Sequence, residues 1–344
     1  MKKTDKNVNN GNIQEEDNVD KLFDEVKDGR MEKVLRKNKI LSYLKIILIS
    51  VVSAVVVLFA AYITVDSLNF KYCQSKQMIE EDRLSNYYRI GYPNRYIGEY
   101  YRYNDLLKGE IDCTTYKNLG GRILYAGTEK RVFGLFNLRS GLFWGGMVAQ
   151  QLADDGISSI NTDLKNRQSS VYGLRYMTFY YPYVEYKNGI NDMQLLSQIS
   201  NDKIVEIGLS FDKKYSLNDI KMLIPNDLGT FYWVDDKSSN EKESLKERKW
   251  ACGENDIHGI KLLDEFGKIV EKPEKDFIRA LTWLKDTEFY KDIYINIAGS
   301  DGNLDELDIY VQGAVLVGTP DNIAQLKDKP FIKYATLGSV VDKY

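Results

Sequence analysis

Histidine is nearly absent from this chain: among 344 residues, His258 is the single example. This scarcity narrows the available chemistry, because serine and cysteine nucleophiles usually need a histidine base beside them. The residues around His258, GENDIHGIK, contain no nucleophile motif. The chain also lacks a G-x-S-x-G elbow, a P-loop and a G-x-G-x-x-G turn after a strand. We therefore predict no catalytic residues, no cofactor and no enzymatic activity.

Cysteine is almost as rare, with Cys73, Cys113 and Cys252 spread over the chain. An odd number at wide spacing fits neither a disulfide framework nor a zinc site. One disulfide remains open, and it would join Cys113 to Cys252, because Cys73 lies closest to the apolar run described below. The DGNLD segment at 301–305 begins like a calcium loop, but Glu306 stands where that loop needs glycine. We predict a turn there and no metal site.

An excess of basic residues is missing as well. The chain has 47 Lys and Arg against 50 Asp and Glu, which gives a net charge of −3 and a pI near 5.6. Proteins that bind nucleic acid usually present a strongly basic surface. We therefore predict no direct contact with DNA or RNA.

What the chain does have is one long apolar run, residues 46–65, without a charged residue. Thirteen of these twenty residues are Ile, Val, Leu or Phe, and each of these favours insertion into a bilayer by roughly 0.3–0.6 kcal/mol. As a helix the run is about 30 Å long, which matches the hydrocarbon core of a membrane. We predict an uncleaved transmembrane helix, because the segment before the run is far longer than the basic start of a secretory signal.

Charged residues on the two sides of this helix predict its orientation. Eight basic residues lie within 21–45, and two lie within 66–80. Under the positive-inside rule, the N-terminus is cytoplasmic and the residues after 65 are extracytoplasmic. The predicted location is the cell membrane, crossed once.

The cytoplasmic part divides into a tail and an amphipathic helix. Residues 1–17 have too little apolar surface to offset the entropy of ordering, so we expect disorder. Within 18–45, apolar residues recur at helical spacing: Leu22, Phe23, Val26, Met31, Val34 and Leu35. No cytoplasmic domain accompanies this helix, so its stripe must contact the bilayer surface, a second copy of the chain or a cytoplasmic protein.

The extracytoplasmic part is divided into 66–165 and 166–344. Residues 66–90 are polar and could continue as a helix or form a stalk. In the second region short strands alternate with helices, which predicts an α+β or mixed α/β domain. The predicted strands are 171–186, 204–211, 230–234, 308–318 and 331–341. The predicted helices follow a capping box at Ser216, span 272–290 and begin at Pro320.

Two stretches carry a resemblance to a known family. The run VEIGLSFDKKYSLNDIKMLIP (205–225), followed by FYWVDD, and the run VQGAVLVGTPDNIAQLKDKPFIKYATLGSVVDKY (311–344) resemble the C-terminal domain of membrane-anchored sigma factor regulators, or anti-sigma factors, of Gram-positive bacteria. The basic helix and span at 21–65 resemble the N-terminal domain of that family. The resemblance covers somewhat over half of the chain.

This resemblance implies a cytoplasmic segment that holds an extracytoplasmic-function sigma factor inactive and an outer domain that senses the envelope. No catalytic residue carries over, because the family motifs are structural. From the apolar stripe we infer that Leu22, Phe23, Val26, Met31, Val34 and Leu35 bind the sigma factor. Release would require either a shift transmitted through the span or proteolysis. The bilayer is a second partner, and small residues such as Ser53 and Ala54 would permit a homodimer or a second membrane subunit.

Two other classes of protein remain open from the sequence. The first is an extracytoplasmic ligand-binding or hydrolytic protein of the cell envelope, since a glycosidase needs only two carboxylates at the right separation. The inner helix would then serve only as a topology signal. The second is an accessory subunit of a membrane complex.

Overall fold

A computed structural model describes residues 30–105, 108–134 and 172–344. The chain divides into two compact units, Met1–Leu68 and Asn69–Tyr344. The predictions of a disordered tail at 1–17 and of a helix over 18–29 lie outside the described residues, as do residues 135–165.

The described elements are mostly antiparallel strands joined by short helices. In chain order they are α1 (Arg30–Ile90), β1 (Arg95–Asp105), β2 (Lys108–Leu119), β3 (Arg122–Phe133), β4 (Thr178–Phe179), a 3₁₀ helix (Asp192–Gln198), β5 (Lys203–Ser216), α2 (Leu217–Leu223), β6 (Gly229–Val234), α3 (Ser239–Arg248), β7 (Cys252–Gly253), β8 (Gly259–Lys261), α4 (Pro273–Leu284), α5 (Glu288–Ile297), β9 (Tyr310–Gly318), α6 (Pro320–Ala324) and β10 (Ile332–Asp342).

In the first unit, α1 carries the apolar run predicted at 46–65. Its most apolar window has a mean hydropathy of 2.9, and no residue of that window is buried within the protein. A helix whose apolar side chains point outward all round needs an apolar surrounding. Therefore α1 is long and apolar enough to span a membrane, as the sequence predicted.

In the second unit, the last part of α1 packs on a three-stranded antiparallel meander in the order β1-β2-β3. The buried positions of the helix recur at about four-residue spacing: Asn69, Cys73, Gln77, Leu84 and Tyr88. Gln77 donates a hydrogen bond to Asn104 on β1 (3.1 Å), and Tyr88 donates one to Glu129 on β3 (2.9 Å). The predicted helical continuation through 66–90 is therefore confirmed, and one face of it is an interface.

The rest of the second unit is built on a five-stranded antiparallel sheet in the order β10-β5-β9-β6-β8. Residues 204–211 of β5, all of β6 and most of β9 are buried, so both faces of the sheet are covered there. Helices α2, α4, α5 and α6 cover one face, where alternate strand residues such as Val205, Ile207 and Leu209 join the main hydrophobic core. The prediction of a mixed α/β domain is confirmed.

The second face of the sheet is covered by an aromatic segment that the sequence analysis predicted to be a strand at 171–186. That prediction is wrong, because only Thr178–Phe179 pairs with another strand. The backbone N–H groups nearby donate to side chains instead of to a neighbouring strand: Met177 to Glu254, Tyr180 to Ser210 and Tyr181 to Tyr186. The segment therefore packs its rings on the sheet without belonging to it.

Two further predictions concern local structure. Ser216 accepts a hydrogen bond from the Asp219 backbone and begins α2, which confirms the predicted helix start. The single helix predicted at 272–290 is wrong, since α4 ends at Leu284 and α5 starts at Glu288. Both the hydroxyl and the amide of Thr287 donate to the Leu284 carbonyl, which closes the first helix before the second begins.

The cysteines form no disulfide. Cys73, Cys113 and Cys252 are all free and buried. Cys113 lies on the meander, whereas Cys252 lies in β7 beneath the five-stranded sheet and donates its thiol hydrogen bond to the Phe179 carbonyl. The pairing of Cys113 with Cys252 that the sequence left open does not form.

Candidate functional site

The residues predicted to bind a sigma factor lie at the start of α1. Met31, Val34 and Leu35 are 53%, 57% and 63% exposed, and their spacing places them on one face of the helix. The other three members of the predicted stripe, Leu22, Phe23 and Val26, lie outside the described residues. The structure therefore brings together half of the predicted set as an exposed apolar face.

A second candidate site lies in the second unit, where the meander meets the five-stranded sheet. At its centre is Lys117, near the end of β2, whose side chain is completely buried. Its Nζ atom lies 2.7 Å from Oε2 of Glu206 on β5, and 3.0 and 3.2 Å from the two carboxylate oxygens of Glu254. All three donor hydrogens of the ammonium group therefore have a carboxylate acceptor.

Two residues of the preceding turn and strand complete this group. Asn94 Nδ2 donates to Oε1 of Glu206 (2.8 Å), and Arg95 Nη2 lies 3.8 Å from Oε1 of Glu254. We call these five residues, Asn94, Arg95, Lys117, Glu206 and Glu254, the charge cluster. Two positive and two negative side chains balance within it, which is what burial of charge requires.

Backbone groups hold the two carboxylates in place. The Ser339 amide donates to Oε2 of Glu206 (3.3 Å), and the Met177 amide donates to Oε2 of Glu254 (3.2 Å).

The alternation of side chains along β2 explains why Lys117 points into the interior. On β2 the side chains of Ile111, Cys113, Thr115, Lys117 and Leu119 all face inward, so Lys117 is the one charged member of this buried row.

Burial and pairing act in opposite directions on the protonation of this cluster. Burial alone lowers the pKa of Lys117, but the facing Glu206 and Glu254 outweigh it, so the pKa stays above the ordinary lysine value. Burial raises the pKa of Glu206; Lys117 and Asn94 oppose that shift, and the neighbouring Glu254 adds to it. Lys117 therefore opposes the rise in the pKa of Glu206 without cancelling it.

The single histidine forms a separate pair below the end of β6. His258 Nδ1 and Asp236 Oδ2 are 2.6 Å apart, and Lys237 Nζ lies 3.1 Å from the other carboxylate oxygen. Burial alone raises the pKa of Asp236, but Lys237 and His258 outweigh it and lower the pKa to about 2. The His258 ring packs against Phe289 and Tyr290. These contacts are those of a structural ion pair.

The charge cluster and the His258 pair are both held by contacts within the protein. Among the described residues, no group of three or more His, Cys, Asp or Glu side chains is arranged to hold a metal ion. The charge cluster is fully desolvated, and its carboxylates are engaged by Lys117, Asn94 and backbone amides. Such an arrangement can hold two parts of a protein together, and it is sensitive to the loss of any member.

Comparison with known proteins identifies the family. Residues 32–123 match the family Sigma factor regulator N-terminal, and residues 196–339 match the family Sigma factor regulator C-terminal. The chain is a sigma factor regulator. Both domains of the family are present and together span about two thirds of the chain. No curated protein and no solved structure matches it.

For this sigma factor regulator the membership has three direct consequences. The domains support a role in the regulation of sigma factors, and they imply a sigma factor as partner. The family is regulatory rather than catalytic. The apolar helix α1 is consistent with a membrane-bound regulator.

The matched residues extend the N-terminal domain beyond the range that the sequence resemblance gave it. The sequence resemblance placed that domain at 21–65, but the match runs on through β1 and β2 to residue 123. Lys117, Asn94 and Arg95 therefore belong to the N-terminal match, whereas Glu206 and Glu254 belong to the C-terminal match. The charge cluster joins the two regulator domains.

Sequence reasoning did not find this cluster. Lys117 is 89 residues from Glu206 and 137 from Glu254, and these are three of 97 charged residues in the chain. The one local hint is that Lys117 stands at the end of an alternating strand on the same face as apolar residues.

Proposed function

We propose that this sigma factor regulator is an anti-sigma factor anchored in the cell membrane. Its cytoplasmic segment sequesters an extracytoplasmic-function sigma factor, and its second unit is an extracytoplasmic sensor of the envelope. Leu22, Phe23, Val26, Met31, Val34 and Leu35 form the contact with the sigma factor, whose surface for RNA polymerase is thereby blocked.

The observation that carries the proposal is the apolar face at the start of α1, where the N-terminal family match begins. More than half of each side chain of Met31, Val34 and Leu35 is exposed. A helix that displays apolar residues at i, i+3 and i+4 is a common way to fill a groove on a partner protein. A sigma factor is the partner that the family implies.

The charges beside the apolar run support the orientation. The segment 21–45 carries eight basic residues, and basic residues next to a span are retained on the cytoplasmic side. A labelling experiment tests this directly. With Met31→Cys and Leu307→Cys variants in intact cells, a membrane-impermeant maleimide should label position 307, which is 82% exposed, and should not label position 31. The reverse pattern would overturn the orientation.

Binding is tested by capture of the full-length chain, solubilised in detergent, followed by mass spectrometry for sigma subunits of RNA polymerase. The native chain should retain a sigma factor. A variant with Met31, Val34 and Leu35 changed to Ser should lose it, as should one with Leu22, Phe23 and Val26 changed to Ser.

The matched control changes Ile40 and Leu44 to Ser. These residues are also apolar and exposed, but at about 100° per residue they lie on the opposite side of the helix from Met31. The control should retain the sigma factor. Equal loss in all variants would mean that membrane insertion, and not a specific face, was disturbed. Retention in every variant would refute the assignment of the face.

A further inference from the structure

The contact between the two regulator domains in the second unit has a polar end. We call the described residues of 69–134 the helix–meander half and residues 172–344 the sheet half. Besides the charge cluster, side-chain to carbonyl hydrogen bonds cross between them: Tyr96 to Leu263, Asn118 to Glu265, Lys261 to Arg95 and Arg122 to Asp342. The buried apolar contact at this end is small, formed by Leu119, Ile204 and Val317.

The other end of the contact is apolar. Ile90, the last residue of α1, is completely buried within the main hydrophobic core of the sheet half. Tyr87 packs against that core and makes an edge-to-face contact with Tyr290. The helix–meander half thus has an apolar attachment at Ile90, and charges and hydrogen bonds attach it near the end of β2.

The apolar contact at Ile90 and the charge cluster differ in the free energy that their exposure to water costs. Exposure of Ile90 would cost the transfer of apolar surface into water. Exposure of the charge cluster costs much less, because the hydration of buried ions largely offsets the loss of their mutual attraction. Among the described residues, two buried atoms that border the cluster, Arg95 Nε and Ser339 Oγ, have no hydrogen-bond partner. Water would satisfy both, which further favours an open state.

The turn between Ile90 and the cluster is strained. Tyr92 has a φ of 51° and Asn94 a φ of 57°, in the left-handed region that non-glycine residues rarely occupy. Such strain persists only where neighbouring groups enforce it. The Asn94 side chain is held by Glu206, a member of the cluster. Loss of the cluster therefore releases the turn as well.

We infer that the charge cluster is a latch, at which the helix–meander half separates from the sheet half while Ile90 stays in the main core. The closed state is the one described here. In the open state the charges of the cluster are hydrated and the turn at Tyr92 and Asn94 relaxes. Because the cluster joins the N-terminal to the C-terminal regulator domain, this opening alters the contact between them.

Hydrogen exchange of the full-length chain in detergent tests the latch. In the native chain the Asn118 amide, which donates to the Asn94 carbonyl across the top of the meander, should exchange faster than the amides of β9 in the sheet centre. Lys117→Met should accelerate exchange near Asn118 by about tenfold or more and change β9 by less than about twofold, as expected for local opening. Equal acceleration at both places would mean global unfolding and would overturn the latch.

A reversible crosslink supplies the second variant. A Cβ at Gly120 would lie 3.4 Å from Cγ2 of Ile204, across the latch. Gly120 has a φ of 58°, which strains any side chain, so the reduced double variant is the reference for the oxidised one. The oxidised Gly120→Cys/Ile204→Cys chain should exchange near Asn118 more slowly than the native chain, and reduction should restore the native rate or exceed it. If the oxidised crosslink leaves exchange near Asn118 unchanged, the latch does not open there.

Lys130→Met is the matched control, because Lys130 lies on the neighbouring strand and pairs with Glu110 at the surface. It should leave exchange at Asn118 and in β9 unchanged. The latch and the proposed binding of a sigma factor can fail separately, since exchange does not depend on whether a sigma factor binds.

Discussion

The change of Lys117 to Met tests most directly how the buried charges hold the second unit together. Methionine fills a similar volume without the ammonium group, so the main loss is electrostatic. Glu206 and Glu254, which are almost completely buried, would then face each other without the cation that lies 2.7 and 3.0 Å from them. The Arg95 guanidinium remains, but at 3.8 Å from one carboxylate it replaces only part of the interaction.

The magnitude follows from the cost of an uncompensated buried charge. Removal of one partner from a buried ion pair typically destabilises a protein by about 3–5 kcal/mol. A domain of this kind is stable by about 5–15 kcal/mol in total. The variant should therefore fold, with a clearly lower urea midpoint.

The loss of stability in Lys117→Met should depend on pH in a specific way. Without Lys117, the largest factor that opposes the raised pKa of Glu206 is gone, so the pKa of Glu206 in the folded variant rises further. The folded variant then binds a proton that the unfolded chain releases above its ordinary carboxyl pKa of about 4.3. More protons in the folded state means that stability falls as pH rises. The deficit of Lys117→Met should accordingly be smaller at pH 5 than at pH 8.

The assay is urea unfolding of the full-length chain in detergent, followed by tryptophan fluorescence, at both pH values. Lys130→Met is again the control, and its effect should be far smaller, because more than half of that side chain is exposed to solvent. In the double variant Lys117→Met/Glu206→Gln, the loss should be less than the sum of the two single losses. If the loss of stability in Lys117→Met equals that in Lys130→Met, or does not vary with pH, the electrostatic reasoning is refuted.

Three further changes test other parts of the structure. Asp236→Asn should lower the urea midpoint at neutral pH and make the midpoint vary less between pH 2 and 4. The pKa of Asp236 in the folded chain is lowered to about 2, so its ionised carboxylate contributes stability that the native chain loses only as the pH falls from about 4 towards that value. If this is wrong, urea midpoints from pH 2 to 7 will change in parallel in the native chain and in the variant. Gly313→Ala should lower the free energy of unfolding by about 1–3 kcal/mol, because the added Cβ would overlap the Leu209 carbonyl oxygen. An unchanged urea midpoint would contradict that close approach. Burial raises the pKa of the Cys113 thiol to about 11 and that of Cys252 higher still. Iodoacetamide at pH 8 should therefore modify these two cysteines only in denaturant. Rapid reaction of the folded chain would show instead that the thiols are accessible.

Local patterns in the sequence predicted a large part of the fold. The charge-free run at 46–65, the Ser216 cap and the alternation of short elements after 200 each depend on neighbours a few residues away, and the structure contains the corresponding elements. The same rules gave wrong boundaries where distant groups decide. The aromatic segment at 171–186 has strand composition, but its amides donate to side chains of β5, of the residue after β7 and of its own loop.

The sequence alone therefore determined the apolar helix, the mixed α/β character of the second unit and the exposed stripe at Met31, Val34 and Leu35, because helical and strand periodicities are properties of adjacent residues. Only the tertiary structure decided that the polar stripe from Asn69 to Tyr88 is a packed interface. Only it decided that Lys117, among 47 basic residues, is the one buried between Glu206 and Glu254. The physical reason is that a charge is favourable in the interior only beside partners that the fold brings from far along the chain.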